Sequence, residues 1–138
     1  MMSDVMTILS SFQLELKAAA RDLAEKVFLP TAAETDQTEA YPWKNVSALR
    51  DGGFMGMTIP EAYGGRGLSY MDAVLVVEEM ARSCSTMGRI TVEANMGAIG
   101  AVMKYGTEEQ KWLAAEHVLS GDKPAICISE PNAGSAAN

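Results

Sequence analysis

Arg89 and Glu93 stand four residues apart in "TMGRITVEANMGAIGAVM", a run that holds no other charge. At this spacing on a helix the two side chains meet, and the plain outcome is an ion pair that ties down one face. An exposed pair of that kind contributes only about 0–1 kcal/mol. An arginine drawn into apolar surroundings is costly unless paired, so it needs a reason to be there. Its planar fork is suited to gripping a two-oxygen anion through both arms. Residue types alone leave both readings open, a structural pair and an anion site. The second stretch with chemical promise is "AICISEPNAGSAAN", residues 125–138. It starts as a short strand and breaks into a turn. The Gly134–Ser135 turn offers backbone N–H groups and a hydroxyl to anionic oxygens. The edge of the strand offers N–H and C=O groups to a ligand. An ordinary strand and turn is the simpler account of the same residues.

The other chemically capable side chains carry less. His117 has no second ligand or nucleophile near it in sequence and reads as a solvated or packed histidine. Glu78 and Glu79 read as the solvated edge of a helix. Glu130 has no positioned partner for acid–base work. Most of the ten methionines fall at helical spacing and read as core filling. Cys84 and Cys127 form no CxxC and read as small core residues.

These groups need elements to hold them. Val5, Ile8, Leu9, Phe12, Leu16, Ala19, Ala20, Leu23 and Val27 follow helical spacing, which predicts one helix from an N-cap at Ser3 to a stop at Pro30. Residues 31–43 are polar and Pro-broken, and fit a short helix and a loop. "KNVSALRDGG" predicts a helix of two turns ended by Gly52 and Gly53. "FMGMTIPEAYGGRG" is a turn-rich crossing. Ser69 and Asp72 have the spacing of a capping box before "AVLVVEEMARS", which is apolar on most sides and therefore buried on most sides. Met87–Tyr105 predicts one further helix with Gly106 as its cap. Thr107 and Gln110 form another capping box, opening a helix to Leu119. "SGDKP" is a turn and "AICIS" a strand. The fold class is all-α, an antiparallel helical domain with short connections. A lone strand needs partners that this chain does not supply, so the chain reads as the front of something longer.

A net charge of −7 argues against a general nucleic-acid surface and favours solubility. The N-terminus lacks a basic region and cleavage site, and no apolar run reaches 18 residues, so neither a signal peptide nor a membrane span is expected. A cytoplasmic location with reduced thiols is the simplest expectation.

Three stretches together resemble the acyl-CoA dehydrogenase superfamily: "GFMGMTIPEAYGGRGLS", "YGTEEQKWLAAEHVLSGDKPA" and "SEPNAGS". They are similar to that family's I-P-E-x-Y-G-G-x-G connection, its Y-G-[ST]-E-E-Q-K helix and its T-E-P-x-A-G-S-D flavin loop. The resemblance spans essentially the whole chain. It implies an N-terminal helical domain over residues 1–122 running into a β-domain that begins at 123–138, FAD as cofactor, an acyl-CoA substrate and a homotetramer. The family's glutamate base lies in a C-terminal domain outside this sequence, so the fragment by itself is expected to be inactive and to hold flavin weakly. By resemblance, the backbone of Ile126, Cys127, Ile128 and Ser129, with the Ser129 hydroxyl, would contact the flavin ring. Ser135 would reach the pyrophosphate or the acyl-CoA. Ser129 stands where threonine is usual and keeps the hydroxyl. Ala136 stands where the family has aspartate, so that polar contact is lost.

The resemblance also places the Arg89 helix at the far end of the acyl pocket, where a cation selects an acyl chain ending in an acid. "TMGRIT" and "KPAICISEPNAGSAA" are most similar to the family branch that removes the sulfino group of 3-sulfinopropionyl-CoA as sulfite, with succinyl-CoA as the expected product. Arg89 is then the substrate-binding and catalytic residue. The alternative within the family is an FAD-dependent dehydrogenase of short-chain or dicarboxylic acyl-CoA. Outside it, a stand-alone helical interaction module is a further alternative, which the unpaired terminal strand disfavours.

Overall fold

The computed structural model describes residues 8–122, 125–132 and 134. Among them the architecture is all-α, as expected. Its helices are α1 (Ser11–Leu23), α2 (Ala32–Thr38), α3 (Trp43–Asp51), α4 (Tyr70–Ser83), α5 (Ser85–Asn95), α6 (Ala98–Tyr105) and α7 (Glu108–Ser120).

The expected cap at Ser3 lies outside the described residues, and α1 is capped by Ser10. The Ser10 hydroxyl accepts from Gln13 N–H at 3.2 Å while the Gln13 side chain accepts from Ser10 N–H at 3.1 Å. The buried stripe of this helix is Leu16, Ala20, Ala24 and Phe28, one residue every turn. Ile8 and Phe12 are exposed, contrary to expectation. Beyond Leu23 the helix widens into a π turn, Ala24–Phe28, and then tightens into a 3-10 turn at Leu29–Thr31. Pro30 within that turn has no N–H to give to Lys26, so the α-helical ladder cannot pass it. α3 is capped by Gly52, and Gly53 adopts a positive φ of 74°, as its sequence predicts.

α4 and α5 follow one another with only Cys84 between them, and they pack face to face. Gly88 makes this possible, since a Cβ there would come within 2.6 Å of the Ala81 Cβ. Phe28, Val46, Leu49, Met57, Ile59, Val76, Met80 and Met87 fill the core between them and α1, α3 and the 54–59 crossing. Four methionines (Met55, Met57, Met80 and Met87) are buried there, in the core role read from their spacing.

The helix expected over Met87–Tyr105 is two helices. α5 ends at Asn95, and α6 starts at Ala98 after Met96 and Gly97. Apolar periodicity runs through the break, which is why the sequence pattern does not reveal it. Residues 125–129 carry no strand, and only Glu130 forms an isolated bridge. The predicted strand residues therefore lie exposed along the surface, with no sheet to join among the described residues.

Candidate functional site

Arg89 sits in the middle turn of α5. Its side chain is 69% exposed, whereas that of its partner Glu93 is 8% exposed. Of the two readings the sequence leaves open, the i, i+4 ion pair forms, with the acid buried and the guanidinium reaching out from it. One carboxylate oxygen, Oε1, receives Arg89 Nη2. The other, Oε2, accepts from the backbone N–H of Ala98 at 3.2 Å, the first residue of α6. A single carboxylate therefore holds the cation and caps the next helix, where an unsatisfied N–H and the helix dipole favour an anion. Gly97 leaves it room, because a Cβ there would stand 2.1 Å from Oε2. Whichever of the two Nη2 hydrogens Glu93 takes, one two-pronged edge of the guanidinium stays whole. The arrangement can present that edge to a two-oxygen anion.

The backbone under this site is fixed by Asn95, a residue the sequence did not single out. Its Oδ1 accepts from Met57 N–H at 2.7 Å, and its Nδ2 donates to the carbonyls of Phe54 and Thr91, each at 2.9 Å. Gly56 N–H adds a bond to the Ala94 carbonyl at 3.2 Å, and the Thr58 hydroxyl donates to the Asn95 carbonyl. The "FMGMTIP" crossing is thus stitched to the last turn of α5. An asparagine bonded to backbone on three sides has no sequence pattern of its own, and only burial exposes it.

Glu79 also departs from expectation. It is not a solvated edge, for its side chain is only 1% exposed. Arg21 grips it through Nε and Nη2 at 2.8 Å each, with Lys17 at 2.7 Å and Arg82 at 3.1 Å. The Arg21 hydrogen bonds lower its pKa, burial works against them, and Lys17 lowers it further, to about 2. This cluster joins α1 to α4. The two helix starts are joined as well: Gln13 Nε2 donates to Asp72 Oδ1 at 2.9 Å, while Asp72 Oδ2 accepts from Ser69 in its capping box. Glu78 is exposed, as its sequence suggests.

Ile126, Cys127, Ile128 and Ser129 are all exposed. The N–H and C=O groups of an exposed segment, with the Ser129 hydroxyl, are donors and acceptors of the kind that fits the rim of a flavin ring. Ser135 lies outside the described residues. No hydrogen bond or ion pair joins Arg89 to residues 126–129 among the described residues, so this domain does not by itself bring the two expected parts of the site together. Cys84 is buried as expected, whereas Cys127 is not in the core. His117 is exposed and its Nδ1 lies 3.1 Å from Asp122 Oδ2. It borders a groove of about 220 Å³ between α6 and α7, next to Ala125. Among the described residues no group of side chains could hold a metal ion, and no helix is long and apolar enough to cross a membrane.

Comparison with known proteins agrees with the helical architecture. Over 130 residues the chain is 73% identical to 3-sulfinopropanoyl-CoA desulfinase of Variovorax paradoxus, covering 94% of this chain and 33% of that protein. It is 37% identical over 123 residues to the mitochondrial short-chain specific acyl-CoA dehydrogenase of Bos taurus, of which it covers 30%. The structure of butyryl-CoA dehydrogenase from Megasphaera elsdenii superposes with a TM-score of 0.80 at 28% identity, over 94% of this chain and 35% of that one. The chain thus spans about a third of the length of these relatives. Residues 10–122 match the acyl-CoA dehydrogenase N-terminal domain, and the chain belongs to that family.

Proposed function

We propose that the chain is the N-terminal part of an FAD-containing 3-sulfinopropanoyl-CoA desulfinase, with residues 1–122 as its helical domain and 123–138 entering the β-domain. The observation that carries this is the Arg89 guanidinium, exposed, held from behind by Glu93 and with one edge free for an anion. The greater identity to a desulfinase than to a short-chain dehydrogenase, 73% against 37%, supports the same choice.

Carbon count corrects the expected product. A 3-sulfinopropanoyl group has three carbons and succinyl has four, so loss of sulfur cannot give succinyl-CoA. In the balanced step the C3–S bond breaks and its electron pair stays on carbon, which takes a proton from water. Sulfur takes the hydroxide and leaves as hydrogensulfite, and propanoyl-CoA remains. The step is hydrolytic and needs no electron acceptor. Arg89 would hold both sulfinate oxygens and orient the C–S bond, stabilising charge as sulfur departs. The backbone of Ile126 to Ser129 would hold the flavin ring, and Ser135 would bind the pyrophosphate or the acyl-CoA. FAD, when bound, would supply a surface for the thioester here, and a hydride acceptor in a dehydrogenase. A homotetramer is the form that the family resemblance implies, and a cytoplasmic location rests on reading the two free cysteines as reduced thiols.

The second reading is an FAD-dependent dehydrogenase of a short-chain or dicarboxylic acyl-CoA, supported by the Bos taurus relative. In it Arg89 would bind the distal carboxylate of a dicarboxylic substrate, or serve only as a structural ion pair where the acyl chain is uncharged. The test is to give the complete, FAD-loaded polypeptide 3-sulfinopropanoyl-CoA with no electron acceptor. Stoichiometric sulfite and propanoyl-CoA are expected. Absence of sulfite, with flavin bleaching on glutaryl-CoA or butanoyl-CoA, would overturn the desulfinase in favour of the dehydrogenase.

A further inference from the structure

We infer that Glu93 is a positioning residue that sets the aim of Arg89, and that it does so because it is built into the break between α5 and α6. This rests on the anion-binding reading of Arg89 given above. Arg89 is a long side chain, 69% exposed. Such a chain loses considerable rotamer freedom when it binds a ligand, and a partner that already restrains it lowers that cost. Glu93 is the partner with the means to do this. It is buried, and its second oxygen is anchored to the Ala98 N–H at 3.2 Å. Gly97 leaves the space its carboxylate occupies, since any Cβ there would stand 2.1 Å from Oε2.

Both carboxylate oxygens are therefore committed, one to the cation and one to the backbone. Glutamine has only one acceptor oxygen and cannot serve both. Aspartate keeps the charge but is one methylene shorter, so it cannot span from the α6 start to the guanidinium. The pair is also neutral as a unit. It draws its ligand by the geometry of the free edge more than by net charge, which suits a singly charged group with two oxygens at the end of a short acyl chain.

The test uses the complete FAD-loaded enzyme and calorimetric binding of two thioesters, 3-sulfinopropanoyl-CoA and its uncharged counterpart butanoyl-CoA. Glu93→Gln should weaken the anionic thioester about tenfold, equivalent to about 1.4 kcal/mol, and leave the neutral one unchanged. The same substitution on an Arg89→Ala background should then have no further effect on the anionic thioester. Glu93→Asp, which preserves charge, should behave like Glu93→Gln and serves if the glutamine variant does not fold. Equal weakening of both thioesters would make Glu93 a purely structural cap and overturn the inference. So would an unchanged preference, or an effect that persists without Arg89. If Arg89→Ala itself leaves the preference for the anionic thioester intact, the anion site falls, and the positioning role falls with it.

Discussion

Gly97 turns a bare Cα toward the carboxylate of Glu93, so that a Cβ at this position would lie 2.1 Å from Oε2 and 2.8 Å from Cδ. Those atoms cannot retreat freely, because Oε2 is bonded to Ala98 N–H and Oε1 to Arg89. Gly97→Ala should therefore cost about 2 kcal/mol in urea denaturation, as overpacking typically does. Gly100 provides the contrast. An added methyl there meets only the Tyr70 hydroxyl, at 3.1 Å, and Tyr70 is exposed. Gly100 lies within α6, where alanine is the better helix former. Gly100→Ala should leave stability unchanged or raise it by about 1 kcal/mol. Equal losses in the two variants would show that the Glu93 carboxylate is not rigidly seated.

Asn95 should be among the least replaceable polar residues of the domain. It is fully buried, and its amide satisfies the Met57 N–H and the carbonyls of Phe54 and Thr91. Asn95→Leu removes all three bonds and leaves buried backbone groups without partners, each costing about 1–3 kcal/mol. A loss of about 3 kcal/mol or more in denaturation is expected. Aspartate at this position should also destabilise the fold, because it can accept from Met57 but cannot donate to the two carbonyls.

The helical nature of the chain was legible because its apolar residues recur at helical spacing and its starts carry explicit signals. The Ser69–Asp72 and Thr107–Gln110 capping boxes both form as read. The break at Gly97 was not legible, because Ile90, Ala94 and Ile99 are all buried and continue the apolar pattern across it. What ends α5 is a buried carboxylate meeting a missing Cβ, a relation between side chain and backbone that periodicity does not encode. The spacing of Arg89 and Glu93 reveals the pair, but not which of them is inside. That depends on where α6 starts. Glu79 reads as a solvated edge for a similar reason: its cations Lys17 and Arg21 come from α1, about 60 residues away in sequence.

The Glu79 cluster should make the fold acid-sensitive over a defined range. Its pKa is depressed from an ordinary 4.5 to about 2, chiefly by the Arg21 hydrogen bonds. A carboxyl depressed in the folded state contributes stability that is fully present above its unfolded pKa, and that is lost as pH falls through the folded value. The loss therefore runs from about pH 4.5 down to about 2. Arg21 and Arg82 are half exposed, so solvent screening reduces the contribution to about 2 kcal/mol. Denaturation midpoints measured across this range should fall more steeply for the natural sequence than for Glu79→Gln. Parallel curves would mean that the buried carboxyl is not tied to its cations in solution.

Arg89→Lys separates charge from shape at the proposed anion site. Lysine keeps the positive charge and reaches Glu93 from the same helix face, but it offers a point charge in place of a planar two-pronged edge. Were charge alone at work, the lysine variant of the complete enzyme would retain the affinity for 3-sulfinopropanoyl-CoA. If the free guanidinium edge grips both sulfinate oxygens, the variant should bind about tenfold more weakly, with butanoyl-CoA affinity unchanged. The stability of the helical domain should hardly move, because the pair is exposed on its arginine side and contributes only about 0–1 kcal/mol. A large drop in stability would instead assign Arg89 to the packing of α5. A lysine variant that binds and turns over like the natural sequence would remove the fork from the mechanism.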